Sequence, residues 1–225
     1  RQRRVLRRLL LDHHEPVRQR MAHALFRARQ HDILAGKAVD KLYNRQHIGG
    51  QRADDATGIA IDANGAAYIT GVTQSSDFPT PNGVDKTYNG NADLFVTKVS
   101  PTGTALTYST FVGGNGTEGG GAIAVDDNGS AYITGFTSSN DYPTTPGAFD
   151  RQRGGQDMIV TKVAGGGGAL AYSTFLGEVI SLGFAISVDK AGAAYVTGAT
   201  YSGTFPTTKN GYDADYNGSG DVIVV

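Results

Sequence analysis

Over most of this chain, apolar residues recur in short alternating runs and not at helical spacing. In DLFVTKV (93–99), Leu94 and Val96 point to one side of an extended segment while Phe95 and Val99 point to the other. Such a run is apolar on both faces and needs cover on both. The same character appears in GIAID (58–62), AAYITGVT (66–73) and ALTYSTFVGG (105–114), which are rich in Tyr, Phe, Val, Ile and Thr. Turn signals separate them: Asn64-Gly65 sits between the first two runs, and this dipeptide tolerates the positive φ of a tight hairpin. Four strands in about 64 residues are predicted, all antiparallel.

The set is then written again. Gly49, Gly113 and Gly177 are spaced by 64, as are Asp93, Asp157 and Asp221. Tyr68, Tyr132 and Tyr195 keep nearly the same interval, as do Pro79, Pro143 and Pro206. A fixed period of this kind marks a repeat architecture. A four-stranded sheet that needs cover on both faces and recurs along the chain predicts an all-β fold of stacked propeller blades. A β-helix has much shorter coils, and separate sandwiches need more strands per unit. The predicted units are blade 1 at about 49–112, blade 2 at about 113–176 and an incomplete blade 3 at about 177–225, together spanning 48–225.

The repeated segments D-x-x-G-x-A-Y-[IV]-T-G-x-T, [FY]-P-T, D-x-x-V-T-K and Y-S-T-F-[VL]-G resemble the bacterial and archaeal β-propeller repeat known as the seven-bladed β-propeller (SBBP) repeat. The third copy departs at GEVISLGF (177–184), where Glu178 replaces a glycine. The resemblance implies a module of a large exported or cell-surface bacterial protein. Two full blades and three strands of a third fall short of the four to eight that typically close a propeller. Bare apolar faces are therefore expected at both ends, to be covered by further blades of a longer protein or by self-association.

Recurrence inside one chain separates structural from unique residues, because a catalytic group is needed only once. Asp62, Asp126 and Asp189 close the first strand and are read as acceptors for turn amides, not as calcium ligands. Asp93, Asp157 and Asp221 open the third strand and read as structural acceptors. Tyr68, Tyr132 and Tyr195, with Tyr108 and Tyr172, read as inter-blade packing with satisfied hydroxyls. Lys98 and Lys162 are expected to reach solvent along the sheet edge. The three prolines are expected to end the second strand, and the glycine runs GGNGTEGGG (113–121) and AGGGG (164–168) to form turns.

Composition removes several chemistries. The chain has no cysteine, and its five histidines, His13 to His47, all precede the repeats, so no Ser–His or Cys–His arrangement can form within them. No catalytic residue, cofactor or metal site is assigned. No apolar stretch reaches the 18 or so residues of a spanning helix. The apolar run Leu9–Leu11 is too short for the core of a signal peptide, so none is read.

Charge divides the chain near Gly49. Residues 1–47 carry twelve Lys/Arg against four Asp/Glu, and the remainder eight against seventeen. Pro16 fits a first helical turn, and Val17, Met21, Ala24, Leu25 and Ala28 follow helical spacing, so 1–47 is predicted to be a basic helical segment or linker. YNRQHIGG (43–50) imitates the fourth strand of a preceding blade. Arginine density without a binding motif does not indicate a nucleic-acid partner.

The copies differ in the connection between strands 2 and 3 and in the blade-to-blade connection, which an antiparallel blade places on one rim. Binding surfaces tend to sit on loops held by a rigid scaffold. The symmetry-breaking charges there, Arg52, Asp54, Asp55, Lys86, Glu118, Arg151, Arg153 and Asp215, are the candidate ligand-binding residues, facing a protein or glycan. The leading expectation is a non-enzymatic binding or adhesion module. A propeller lyase or hydrolase with its active site on other blades, or a structural spacer, are the alternatives.

Overall fold

The tight turns that start each unit form where the sequence supplies a residue for positive φ. Gly65, Gly129 and Gly192 have φ of 83°, 75° and 84°, and each turn joins the first two strands of a sheet. The computed structural model describes residues 46–225. The predicted helical segment lies outside the described residues except for Gln46 and His47, and Gln46 to Gly50 form no strand.

Eleven strands follow: β1 (Asp54–Ile61), β2 (Ala67–Thr73), β3 (Asp93–Val99), β4 (Leu106–Val112), β5 (Glu118–Val125), β6 (Ala131–Thr137), β7 (Asp157–Val163), β8 (Leu170–Leu176), β9 (Ser181–Val188), β10 (Ala194–Thr200) and β11 (Asp221–Val224). They make two four-stranded sheets, β1-β2-β3-β4 and β5-β6-β7-β8, and a three-stranded sheet of β9, β10 and β11. Every pairing is antiparallel between chain neighbours, and the register repeats: Tyr68 faces Lys98 and Tyr132 faces Lys162. This is the predicted all-β architecture of blades.

Three expectations are corrected. The first strand of each unit starts about four residues earlier than its apolar alternation indicates, at Asp54, Glu118 and Ser181. Glu118–Gly121, read as part of a glycine turn, is therefore strand. Glycine gives no alternation signal, yet here the fold requires it. The first strands of successive blades run side by side, and a methyl on Gly121 would lie 2.3 Å from the Gly183 carbonyl of the next blade. The prolines do not end strand 2, which stops at Thr73, Thr137 and Thr200, six residues earlier.

The blades stack through their apolar faces. Leu94, Val96, Tyr108 and Val112 of the first sheet meet Ile123, Ile133, Ile159 and Phe175 of the second in one buried cluster. Met158, Val160 and Leu176 then meet Val196, Phe205 and Ile223. The opposite face of the first blade gathers Phe78, Phe95 and Phe111 with Ile48. Position-matched residues show what a neighbour contributes. Ile123, between two blades, is 7% exposed, whereas Ile59 at the same place in the first blade is 48% exposed. Leu94 and Met158 are 0% exposed, and their counterpart Val222 is 81% exposed. Ile59 on the first sheet and Val222 on the third are thus uncovered, while Phe78, Phe95 and Phe111 of the first blade stay buried among themselves and Ile48.

The long connection between strands 2 and 3 has a structural task of its own. Pro81 O accepts the Ser109 amide, Asp85 O accepts the Phe111 amide, and the Asp85 amide donates to Thr110 Oγ1. The second blade repeats this pattern with Thr145, Asp150, Ser173, Thr174 and Phe175. These bonds occupy the outer strand's free edge, which would otherwise be a template for aggregation.

Candidate functional site

The blades present two rims. One carries the short turns after the first and third strands. Asp62 Oδ1 accepts the Asn64 and Ala66 amides at 3.0 and 2.9 Å, and the Tyr68 hydroxyl donates to Oδ2 at 3.2 Å. Lys98 Nζ lies 3.6 Å from the same oxygen and 4.7 Å from the centre of the Tyr68 ring. Asp126, Tyr132 and Lys162 repeat the arrangement, with the ammonium 3.1 Å from the carboxylate and 4.5 Å from the ring centre. The lysines are therefore held over tyrosine rings and do not run out to solvent. Burial pushes the Asp126 carboxyl up, but the Ser130 amide, Lys162 and Tyr132 outweigh it and leave the group below its ordinary range. Asp189 and Tyr195 keep the pair at 3.3 Å without a lysine. A polar cleft of about 190 Å³ opens between the first two such turns, lined by Asp62, Asn64, Lys98, Asp126, Asp127 and Asn128.

Tyr68 and Tyr132 have the satisfied hydroxyls expected of them. Tyr108 does not: its hydroxyl is buried with no hydrogen-bond partner, and burial drives its pKa far up. Tyr195, at the same position in the third sheet, is 54% exposed.

The other rim carries the variable connections, and they are knitted together there. Ala92 bridges Thr117, and Gln156 bridges Ile180, so each strand 2–3 connection pairs with the chain entering the next blade. Of the eight candidate residues, Arg52, Asp55, Lys86, Arg151 and Asp215 are exposed on this framework. Arg153 is half-buried, its Nε donating to Asn140 Oδ1 at 2.7 Å and its guanidinium to Gly155 O.

Asp54 and Glu118 are built in, and Glu118 cannot contact a surface ligand. It is 1% exposed, with Oε1 accepting the Thr137 and Ser139 hydroxyls at 2.6 and 2.5 Å and Oε2 accepting the Gly114 amide at 3.2 Å. Asp54 does the same in the first blade with Thr73, Ser75 and the Gly50 amide. These bonds tie the start of the first strand to the end of the second.

Asp93, Asp157 and Asp221 accept amides at the start of the third strand, as expected: Asn89, Gly154 with Gly155, and Asn217 respectively. Asp93 differs in one respect. It is fully buried, and its Oδ1 has no hydrogen-bond partner. Burial, opposed by the Asn89 and Gly90 amides and reinforced by Asp85 and Asp141, pushes its carboxyl up to about 6. Burial also raises Glu118, against the pull of Ser139, Thr137 and Gly114. The sequence carries a faint trace of this pairing, because acids stand at both 54 and 118 while position 181 is serine.

Stacked four-stranded antiparallel meanders, each passing from its outer strand to the first strand of the next, are the blades of a β-propeller. Residues 43–79 match the family model described as SBBP, beta-propeller repeat, and the chain carries that repeat. The match starts at Tyr43, where the sequence imitates a fourth strand. No curated protein matches the chain. Among the described residues, no helix is long and apolar enough to cross a membrane.

Proposed function

We propose that this propeller module is a non-enzymatic binding element of an exported or cell-surface protein, engaging a protein or glycan through the exposed side chains of the connection rim. The observation that carries the reading is the division of labour within the strand 2–3 connections. Their backbones are fixed by bonds that repeat from blade to blade, Asp85 to Thr110 and Asp150 to Thr174. The side chains beside that anchor vary: Lys86 and Thr87 follow Asp85, Arg151 and Gln152 follow Asp150, and Ala214 and Asp215 follow Asp213. A rigid frame displaying varied side chains is how loop-borne binding surfaces are built. The resemblance to the repeat family is what supports a place outside the cell.

The test is charge reversal that leaves the frame intact. Lys86→Glu with Arg151→Glu, compared with Asp127→Lys on the turn rim, is to be screened on glycan arrays and against immobilised surface proteins. Loss of a captured ligand in the double variant alone is the expected result. Loss in Asp127→Lys alone would move the binding face to the turn rim.

A further inference from the structure

The first blade junction contains a feature that neither the binding reading nor the repeat explains. Two buried carboxylates converge there. A methyl on Gly113 would lie 2.7 Å from Glu118 Oε2 and 2.8 Å from Asp93 Oδ1, so both oxygens crowd one point. On the adjacent side, a methyl on Gly90 would lie 2.6 Å from Gly114 O, 2.4 Å from Gly116 O and 3.3 Å from Asp93 Oδ1. The Gly116 carbonyl already accepts the Asn91 amide. Oxygen atoms crowd this junction, and one of them, Asp93 Oδ1, has no hydrogen-bond partner.

Neither acid has a cationic partner. The two ion pairs found among the described residues, Lys98–Asp62 and Lys162–Asp126, both lie at the turn rim. Asp85 and Asp141 add further negative charge around Asp93. Buried charges are ordinarily paired or bound to a metal, since leaving them unpaired costs several kcal/mol. We propose that the junction between the first two blades binds a calcium-sized divalent cation through Asp93 Oδ1, Glu118 Oε2 and the Gly114 carbonyl, with water completing the shell. Carboxylate and main-chain oxygens in an irregular array suit calcium, which accepts six to eight oxygens in flexible geometry, better than magnesium, which demands a near-ideal octahedron.

The second junction is a control within the same chain. There Asp157 accepts the Gly154 and Gly155 amides on its two oxygens, and Ser181 stands where Glu118 stood. Both Asp157 oxygens already have donors, and the other acid there, Glu178, is exposed with only its stem against Gly154.

The experiment uses the full chain after chelation. Calcium or magnesium is titrated while thermal unfolding is followed, and terbium serves as a luminescent probe. Tyr88, whose phenol feels the Asp93 charge, is placed to sensitise terbium. Two carboxylates and a water-completed shell predict a Kd of about 10⁻⁵ to 10⁻³ M. At a hundredfold excess over Kd, calcium is expected to raise Tm by about 5–10 °C. Calcium, but not equimolar magnesium, is expected to displace terbium. Asp93→Asn is expected to abolish the calcium response, Glu118→Gln to weaken it at least tenfold, and Asp157→Asn to leave it unchanged. Asp93→Asn is also expected to unfold no earlier than the chelated parent, because it removes an unpaired buried charge. Absence of both a terbium signal and a calcium shift up to about 10 mM would overturn the proposal. So would a response that survives in Asp93→Asn and Glu118→Gln, which would place the cation elsewhere.

Discussion

At the first junction between blades Glu118 faces Asp93, while at the second the same two places hold Ser181 and Asp157. Two other residues change with the acid. Asp141, whose Oδ1 accepts the Asn115 amide at 2.8 Å, is replaced in the third copy by Thr204, which instead bonds Ser202. Gly114 is replaced by Glu178, an exposed residue. The geometry links these changes, because a methyl on Gly114 would lie 2.4 Å from Asp141 Oδ1 and 2.7 Å from Ser139 Cβ. With the aspartate gone, the backbone no longer has to pass so closely beneath it, and a side chain is tolerated. What differs between the junctions is one polar lock, while the apolar packing behind it is shared.

The largest expected effects test that shared base. Leu94 and Met158 hold the same register position on facing sheets and are 0% exposed. Leu94→Ala and Met158→Ala should each cost about 2–5 kcal/mol, the usual range for emptying a closed core. Val222→Ala, at the same position on the 81% exposed end face, should cost no more than about 0.5 kcal/mol. Urea unfolding of the three variants checks this. A cost for Val222→Ala near that of Met158→Ala would show that the end face is covered in solution. A much smaller cost at Met158 than at Leu94 would show that the two junctions differ in packing as well as in acids.

The next effect separates lock from packing. Gly114→Ala should destabilise by about 1–3 kcal/mol, the range for overpacking, whereas Glu178→Ala at the equivalent place should be close to neutral. Pairing Gly114→Ala with Asp141→Thr, which copies the second junction into the first, should recover much of the loss. If the double variant is no better than the single one, the link between residues 114 and 141 is wrong.

The repeat, the hairpin turns and the strand content were legible in the sequence because each has a local cause. Asn-Gly supplies positive φ, and Val, Ile, Tyr and Phe in alternation mark a covered sheet. The start of the first strand was not legible. In EGGGAIAV (118–125) the glycines exist for a contact some sixty residues away, where Gly121 passes Gly183 O. The same holds for the candidate site. Glu118 looked like a surface charge that broke the repeat, but its partners, Thr137, Ser139 and Gly114, are brought to it by sheet register and by the path of the connection. Lys98 was misplaced because alternation gives the side of a strand and not the reach of a long side chain towards Asp62 and Tyr68. Local pattern gives the elements; close approach between blades decides which polar groups are interior.

The smallest expected effect lies at the turn rim, where the comparison shifts from acids to a lysine. Asp126 is held by the Ser130 amide, Tyr132 and Lys162, and its side chain is 7% exposed. Its folded pKa is lowered, so it binds a proton less readily folded than unfolded. The resulting stability is complete above the unfolded carboxyl value of about 3.9 and disappears as pH falls through the lower folded value. Lys162→Met should remove about 0.5–1 kcal/mol at pH 7, the scale of a partly exposed ion pair. It should also shrink the acid-side loss between about pH 4 and 2, because protonating Asp126 then forfeits less. Asp126→Asn should flatten that limb further by deleting the titrating group, while a substitution at the exposed Asp189, where no lysine stands over Tyr195, should alter it least. Chemical denaturation at pH 7, 4 and 2.5 distinguishes these cases. Equal slopes for the parent and Lys162→Met would mean that the ammonium is held over the ring for packing alone, with the turn amides supplying the whole stabilisation of the carboxylate.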